Sequence, residues 1–295
     1  MLFDFSNCEN SGLNYGGSER KIGILVNNEP YLLKFRKRTA FGLRFNHVSE
    51  YLGSHIFELL GFNVHKTILG IYKNEEVVAC KDFTSGGYLF VPFNDVGESS
   101  IEEDKDTYQY SYEDIVKLLR ANKKLTNVEE TVSSFFEIYI VDALIGNFDR
   151  HGANWGFLKK DNKYYLASVF DNGSSLFSQI SDEQIVDIID NEEEINRRIY
   201  EFPTSQIQLD GKKSSYFDVI SSLRFEECNK ALLKVFPKVD LEKFNVLIDS
   251  IEIISDTRKT FLKKMLKERY EKIIKFSYEK LMEEQPKWTL LKQKE

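Results

Sequence analysis

Along the first 83 residues, apolar positions come in short runs separated by polar turns. Lys21 to Val26 (KIGILV) is followed by Asn27-Asn28 and then Tyr31 to Phe35 (YLLKF), which predicts a β-hairpin. From Asn46 to Leu60 the period changes. Val48, Tyr51, Leu52, His55, Ile56, Leu59 and Leu60 recur at steps of three and four, as on an amphipathic helix, and Gly61 ends it. A second hairpin is predicted from Val64 to Tyr72, with a turn at Lys73-Asn74-Glu75 and a return strand from Val77 to Phe83. Helical spacing then dominates, over Tyr112–Arg120, Val128–Ile145, Glu183–Tyr200, Leu241–Ile251 and a long Lys/Glu-rich stretch, Thr257–Met282. One hairpin interrupts it, Asn154–Leu158 and Tyr164–Phe170 around Asp161-Asn162. Residues 94–110, rich in Glu, Asp and Ser, read as an exposed loop, and the tail after Pro286 as mobile. The pattern predicts an α+β class: a small β-rich lobe, residues 1–83, ahead of a larger, mainly helical lobe, residues 84–295.

Composition narrows the function. The 295 residues are 42% hydrophobic and 29% charged, ordinary for a globular chain, and 23 Phe with 15 Tyr can fill a sizeable core. A net charge of −7 argues against nucleic-acid binding, which needs basic surface to displace counterions. Three widely spaced cysteines, Cys8, Cys80 and Cys228, suggest neither a disulfide framework nor a zinc site. There is no signal-peptide pattern at Met1-Leu2-Phe3-Asp4-Phe5 and no apolar run of about 18 residues. The expectation is a cytoplasmic protein with no membrane association and no direct nucleic-acid partner.

The chemistry concentrates in Gly146-Asn147-Phe148-Asp149-Arg150-His151-Gly152-Ala153-Asn154 and, one hairpin later, Phe170-Asp171-Asn172-Gly173. Phosphoryl transfer needs a carboxylate near the attacking hydroxyl and oxygen ligands for a metal on the phosphates. Protein kinases supply these as Asp-x-x-x-x-Asn and a downstream Asp, which is the spacing of Asp149, Asn154 and Asp171. Mg²⁺ prefers hard oxygen donors of this kind. Each residue alone is as readily a turn or cap residue. It is their order, within a chain split into β-rich and helical parts, that points to phosphoryl transfer and a two-lobed, protein-kinase-like fold.

The strings NFDRHGANWGF and FDNGSSLF resemble the catalytic and metal-binding motifs of the HipA-like serine/threonine kinases. The similarity extends through NYGGSERKIGI, YLLKF, SEYLGSHIFELLGF and VVACKDF, and is nearest to the short bacterial form of that family. The resemblance implies ATP and Mg²⁺ as cofactors, Asp149 as catalytic base, Asn154 and Asp171 as metal ligands, and His151 against the phosphates. Lys34 matches the lysine placed on the ATP phosphates and Glu50 the acid that pairs with it. Glu50 lies off the apolar stripe of its helix, so a solvated acid stays open. Gly16, Gly17 and Ser18, with Lys21 after them, match a phosphate-approaching loop, and Lys81, Asp82 and Phe83 fall where the adenine edge would meet the lobe junction. Cys80 reads as a small buried hydrophobe.

The same resemblance implies a protein substrate with a Ser or Thr acceptor, and autophosphorylation near the glycine-rich loop, at Ser18 or Ser11, with Asn14 at one aligned position. Longer family members carry a further domain ahead of the kinase core. Its lack here suggests a small antitoxin or N-subdomain partner protein, as in a toxin–antitoxin operon, or alternatively a stand-alone effector translocated to a host cell. Two other readings remain. Asp-Arg-His-x-x-Asn also resembles the catalytic loop of phosphoinositide kinases, but Asn172 to Glu194 holds seven acids and no Lys or Arg, which suits a neutral or basic protein segment better than a lipid headgroup. A small-molecule phosphotransferase is weaker still. A nucleotide-binding pseudokinase acting through a partner is the non-enzymatic alternative.

Overall fold

The computed structural model describes residues 2–13, 20–40, 42–96, 112–121 and 125–292. It opens with a short strand, β1 (Phe3–Asp4), followed by the hairpin β2 (Lys21–Val26) and β3 (Glu29–Phe35). A two-residue ladder, β4 (Arg38–Thr39) with β5 (Gly42–Leu43), leads into helix α1 (Asn46–Leu59). Then come β6 (Thr67–Tyr72) and β7 (Glu75–Lys81), which complete a five-stranded sheet in the order β1-β6-β7-β3-β2. β1 runs parallel to β6, and the other pairs are antiparallel.

Both predicted hairpins in this region turn on two left-handed residues, Asn27-Asn28 (φ 51° and 65°) and Lys73-Asn74 (φ 50° and 67°). That geometry matches the twist of the flanking strands, and Asn tolerates it better than most residues. Alternation along β3 buries Tyr31, Leu33 and Phe35 with Phe5, Ile24, Val77 and Ala79 in a small core on one face of the sheet. Leu32 and Lys34 therefore point to the other face, where α1 lies.

Next along the chain are β8 (Leu89–Pro92), the short helix α2 (Phe93–Val96), α3 (Tyr112–Ala121) and the long α4 (Val128–Ile145). The expected loop at 94–110 is thus corrected at its start: Asn94 is helical and buried, and 97–111 lie outside the described residues. Helix α4 is buried on most of its surface and forms the axis of the main core. Asn127 caps its first turn, and Gly146, left-handed at φ 64°, caps its end. The hairpin β9 (Gly156–Lys160) and β10 (Lys163–Leu166) follows; β8 joins it to make a three-stranded sheet.

The predicted helix 183–200 is two helices, α5 (Asp182–Ile189) and α6 (Glu192–Tyr200). Asp190 closes the first, and the Asn191 side chain caps the second by accepting the N–H groups of Glu193 and Glu194. A hairpin not expected from the apolar pattern, β11 (Thr204–Leu209) and β12 (Lys212–Ser215), precedes α7 (Tyr216–Ser221), α8 (Glu226–Val235) and α9 (Leu241–Asp249). The predicted long helix is α10 (Asp256–Arg269), a wider π-helical stretch (Tyr270–Lys275) and α11 (Phe276–Lys292). The backbone thus stays helical beyond Pro286, through Lys292. No helix among the described residues is long and apolar enough to cross a membrane.

Candidate active site

The end of α4 fixes the first half of the site. Gly146 turns the chain, and the buried Arg269 donates from Nε to the Ala143 carbonyl at 2.7 Å, a cation at the helix's negative end. Asp142, one turn earlier, is a carboxylate inside the apolar last part of the helix, residues 138–145, and is 1% exposed. It takes Arg150 on both oxygens, Nε at 2.9 Å and Nη2 at 3.0 Å, and accepts from Asn147 Nδ2 at 3.0 Å. Arg150 also reaches the carbonyls of Phe170 and Asn154 and, from Nη2, Asn172 Oδ1 at 2.6 Å. One guanidinium thus ties helix α4, the Asp149–Asn154 loop and the Asp171–Asn172 segment into a single frame. The Tyr216 hydroxyl adds a bond to the Asn147 carbonyl at 2.7 Å.

Within that frame Asp149 is the outward-facing member, with 44% of its side chain exposed. Its N–H is held by Asn147 Oδ1 at 3.1 Å, and its Oδ2 accepts the Ser174 hydroxyl at 3.3 Å. Partial burial pushes its carboxyl above the ordinary range, His151 opposes this, and Asp171 adds to it. A carboxylate with raised proton affinity is suited to accept a proton from a hydroxyl. His151 Nε2 lies 3.6 Å from Asp149 Oδ1, while its Nδ1 accepts the Ala153 N–H at 3.2 Å. Asn154 donates its Nδ2 to the Asp149 carbonyl at 2.8 Å, which leaves the lone pairs of its amide oxygen for a metal ion.

The second half comes from the β-rich region. Lys34 Nζ lies 2.8 Å from both Glu50 Oε2 and Asp171 Oδ1. Burial alone would lower the proton affinity of Lys34, but Asp171 and Glu50 outweigh it and hold the ammonium well above its usual range. The Glu50 carboxyl is opposed by burial in turn, yet Lys34 and His65 pull it well below the usual carboxylate range. Glu50 is 1% exposed, which settles the alternative left by its helical position in favour of a buried pair. Its oxygens also accept the N–H groups of Asn172 (3.0 Å) and Gly173 (3.2 Å), and His65 Nε2 lies at 3.0 Å. These contacts hold Asp171 in a left-handed conformation, φ 57°, that Asp tolerates better than most residues. Gly53 of α1 makes the approach feasible, since a Cβ there would lie 2.7 Å from Asn172 Cβ.

Cys80 approaches Glu50 and His65 closely enough to suggest a metal trio. Glu50 is already satisfied by N–H donors, and burial pushes the Cys80 thiol far up, so a neutral thiol packs beside a hydrogen-bonded acid. The expectation of a small buried side chain stands.

The remaining expected residues divide. Lys21 stands directly across from Lys34 on β2. At the lobe junction, the N–H groups of Lys81 and Asp82 are committed to the Lys66 and Pro30 carbonyls, and Lys81 Nζ to Glu29 at 2.5 Å. Phe83 packs its ring with Phe90 and Phe170, at 5.9 and 5.2 Å between centroids. Gly16, Gly17, Ser18 and Asn14 lie outside the described residues. Sequence reasoning passed over Asp142, Asn147, His65, Asn172 and Ser174. Only Asp142 carried a signal, a lone acid in the apolar run IYIVDALI.

A lysine–glutamate pair set over an Asp-x-x-x-x-Asn loop and a downstream Asp, between a β-rich and a helical region, defines a protein-kinase-like class. The comparisons place the chain within it. The model of the HipA-like C-terminal domain matches residues 13–235. Serine/threonine-protein kinase CtkA of Helicobacter pylori is 36% identical over 289 residues, covering 95% of this chain and 89% of its own. The crystal structure of that proinflammatory kinase superposes with a TM-score of 0.89, over 96% of this chain and 99% of its own. Shewanella oneidensis HipA, solved with HipB and operator DNA, gives 0.60 at 14% identity over 92% of this chain and 67% of its own, a likeness of fold. The chain belongs to the HipA-like C-terminal domain family, and as an enzyme it is of the protein serine/threonine kinase class.

Proposed function

We propose that this protein transfers the γ-phosphate of ATP to Ser or Thr hydroxyls of a protein substrate, with residues 1–83 gripping the nucleotide and 84–295 carrying the catalytic loop. The observation that carries the reading is that Lys34, Asp171 and Asp149 are drawn to one site: Lys34 lies 2.8 Å from Asp171, and Ser174, three residues further on, donates to Asp149 at 3.3 Å. Lys34 is held protonated and oriented by Glu50, ready to pair with phosphate oxygens. Asp149 orients the acceptor hydroxyl and takes its proton. His151 beside Asp149 restrains that carboxylate's proton affinity and would lie against the nucleotide phosphates.

The donor set fits a hard divalent cation. Asp171 offers a carboxylate held by a single cation, and Asn154 an amide oxygen left over once its NH₂ is spent. These two residues would hold Mg²⁺, which supplies charge neutralisation on the phosphates when bound. Gly16, Gly17, Ser18 and Lys21 on the phosphate side, and Lys81, Asp82 and Phe83 on the adenine side, complete the nucleotide contacts of this reading.

Radiolabelled γ-phosphate transfer with Mg²⁺ tests it, comparing the parent chain with Asp149→Asn and Asp171→Asn. Label on protein Ser or Thr that both variants lose is the expected result. Mapping of the labelled chain would show Ser18 or Ser11 modified if autophosphorylation belongs to the activity. ATP binding with no transfer to protein, lipid or the chain itself would replace catalysis with a docking role.

A further inference from the structure

A cluster of positive charge outside the site lies between β3 and α1. Residues 36–45 contain Arg36, Lys37, Arg38 and Arg44 and no acid, in a chain of net charge −7. The fold neutralises them unevenly. Arg36 is engaged with Glu76 at 3.0 Å, the Arg44 carbonyl at 3.0 Å and the Phe45 ring at 4.6 Å. Nearby, Arg20 is paired with Glu75 at 2.7 Å. Among the described residues, neither Arg38 nor Arg44 has a carboxylate partner.

The backbone decides where these charges point. β4 pairs Arg38 with Leu43, and the Arg44 N–H donates to the Lys37 carbonyl at 2.9 Å, so Lys37 and Arg44 stand opposite each other on one face. The base of the hairpin adjoins the Asp171–Gly173 segment: a Cβ on Gly173 would lie 3.3 Å from the carbonyl of Asn46, the residue that follows β5 and Phe45. The hairpin is also fastened there: Phe45 N–H donates to the Ser178 carbonyl at 2.8 Å, and Asn46 Oδ1 accepts the Lys37 N–H at 2.9 Å. Beside the hairpin, Phe35, Lys37, Arg38 and Leu43, with Glu75 and Glu76, line a cavity of about 750 Å³. The acids after Asp171, which as a run of sequence suggested a basic substrate, are engaged elsewhere in part. Asp182 holds Arg258 and Glu194 holds Arg198.

We propose that the β4–β5 hairpin is the docking surface for a protein substrate whose acceptor Ser or Thr is flanked by Asp or Glu side chains, with Arg38 and Arg44 as the recognising cations. This deepens the kinase reading above and rests on it. A protein carboxylate suits the site because guanidinium groups pair with carboxylates through two parallel hydrogen bonds, and because the enzyme class already supplies a Ser/Thr acceptor.

The test compares three peptides with one Ser acceptor each, flanked by Asp, Ala or Lys, phosphorylated by the full chain with ATP and Mg²⁺. ATP hydrolysis to water is followed alongside, as a readout of the nucleotide machinery alone. The Asp peptide should exceed the Lys peptide in kcat/KM by about tenfold, as two exposed charge contacts would give. Its advantage should shrink as salt is raised. The double variant Arg38→Glu/Arg44→Glu should reverse the preference to the Lys peptide, with Arg38→Gln/Arg44→Gln in between and ATP hydrolysis retained in both. Equal use of the three peptides, or an Asp preference that survives charge reversal, overturns the docking proposal. So does label confined to phosphatidylinositol vesicles. A parent chain that turns over no ATP at all overturns the kinase reading itself, and the proposal with it.

Discussion

Two charge clusters grip the Asp171–Asn172 segment from opposite sides. The β-rich side brings Lys34, Glu50 and His65, and the helical side brings Asp142, Asn147 and Arg150. They meet at Asn172, whose N–H goes to Glu50 and whose side-chain oxygen goes to Arg150. The helical cluster is closed: Asp142 is 1% and Arg150 7% exposed, and each is matched on several atoms. The β-side cluster ends in Asp171, whose side chain is 38% exposed and which shares Lys34 with Glu50. A charge that must exchange partners with a ligand cannot be fully mated and buried. One cluster is therefore frame and the other working part, although Asp149 and Arg150 are neighbours in a single motif.

The largest separation of the two roles is expected at Asp149. Asp149→Asn should lower phosphoryl transfer by about a thousandfold, the scale of a lost general base. It should leave the melting temperature unchanged or raised. The raised native pKa means that folding favours protonated Asp149, so this group's contribution to stability falls as pH climbs from about the unfolded value of 3.8 through the native one, and a neutral amide escapes that loss. A clear drop in melting temperature would place Asp149 in the frame instead.

Arg150→Met should do the reverse and act through stability. It strands the buried Asp142 carboxylate, which costs about 3–5 kcal/mol in urea unfolding. Adding Asp142→Asn should recover part of the loss. If both single variants unfold normally, the frame assignment fails.

Glu50→Gln should fall between these two, with transfer reduced roughly tenfold to a hundredfold and a stability loss of about 1–3 kcal/mol from donors left poorly satisfied. Glu50 is held below its ordinary value, so its contribution is present above about pH 4.5 and is lost as pH falls through the lower native value. Acid unfolding of the Gln variant should therefore be less steep than that of the parent. The smallest effect is expected at His151. Its charge lowers the pKa of Asp149, so His151→Asn should move the acidic limb of the kcat/KM profile upward, and no movement would remove His151 from that role.

The sequence made some of this legible and hid the rest for physical reasons. Hairpins turning on Asn27-Asn28, Lys73-Asn74 and Asp161-Asn162 were readable because the left-handed turn restricts which residues fit. The turn of the unexpected hairpin, Asp210-Gly211 (φ 53° and 69°), carried the same signal, but Thr204–Leu209 has only two apolar residues to mark a strand. The break between α5 and α6 was masked because Asn191 sits in an acidic run whose spacing continues helically on both sides. Glu50 was ambiguous because periodicity assumes one buried face. α1 packs against β6 and β7 and also meets the Asn172 segment, so its polar positions are buried as well. Asp149, Asn154, Asp171 and Lys34 were legible as a motif. His65 was not, because its partner lies fifteen residues away on a different element.

The left-handed turn at Asp171 bears on the choice of reagents. A loss-of-function control is useful only if the backbone keeps its shape, and φ 57° disfavours most side chains. Asn adopts this conformation readily, whereas Ala would add conformational strain to the loss of the carboxylate. Asp171→Asn is therefore the cleaner silent kinase for trapping substrates, and Asp171→Ala would confound chemistry with misfolding.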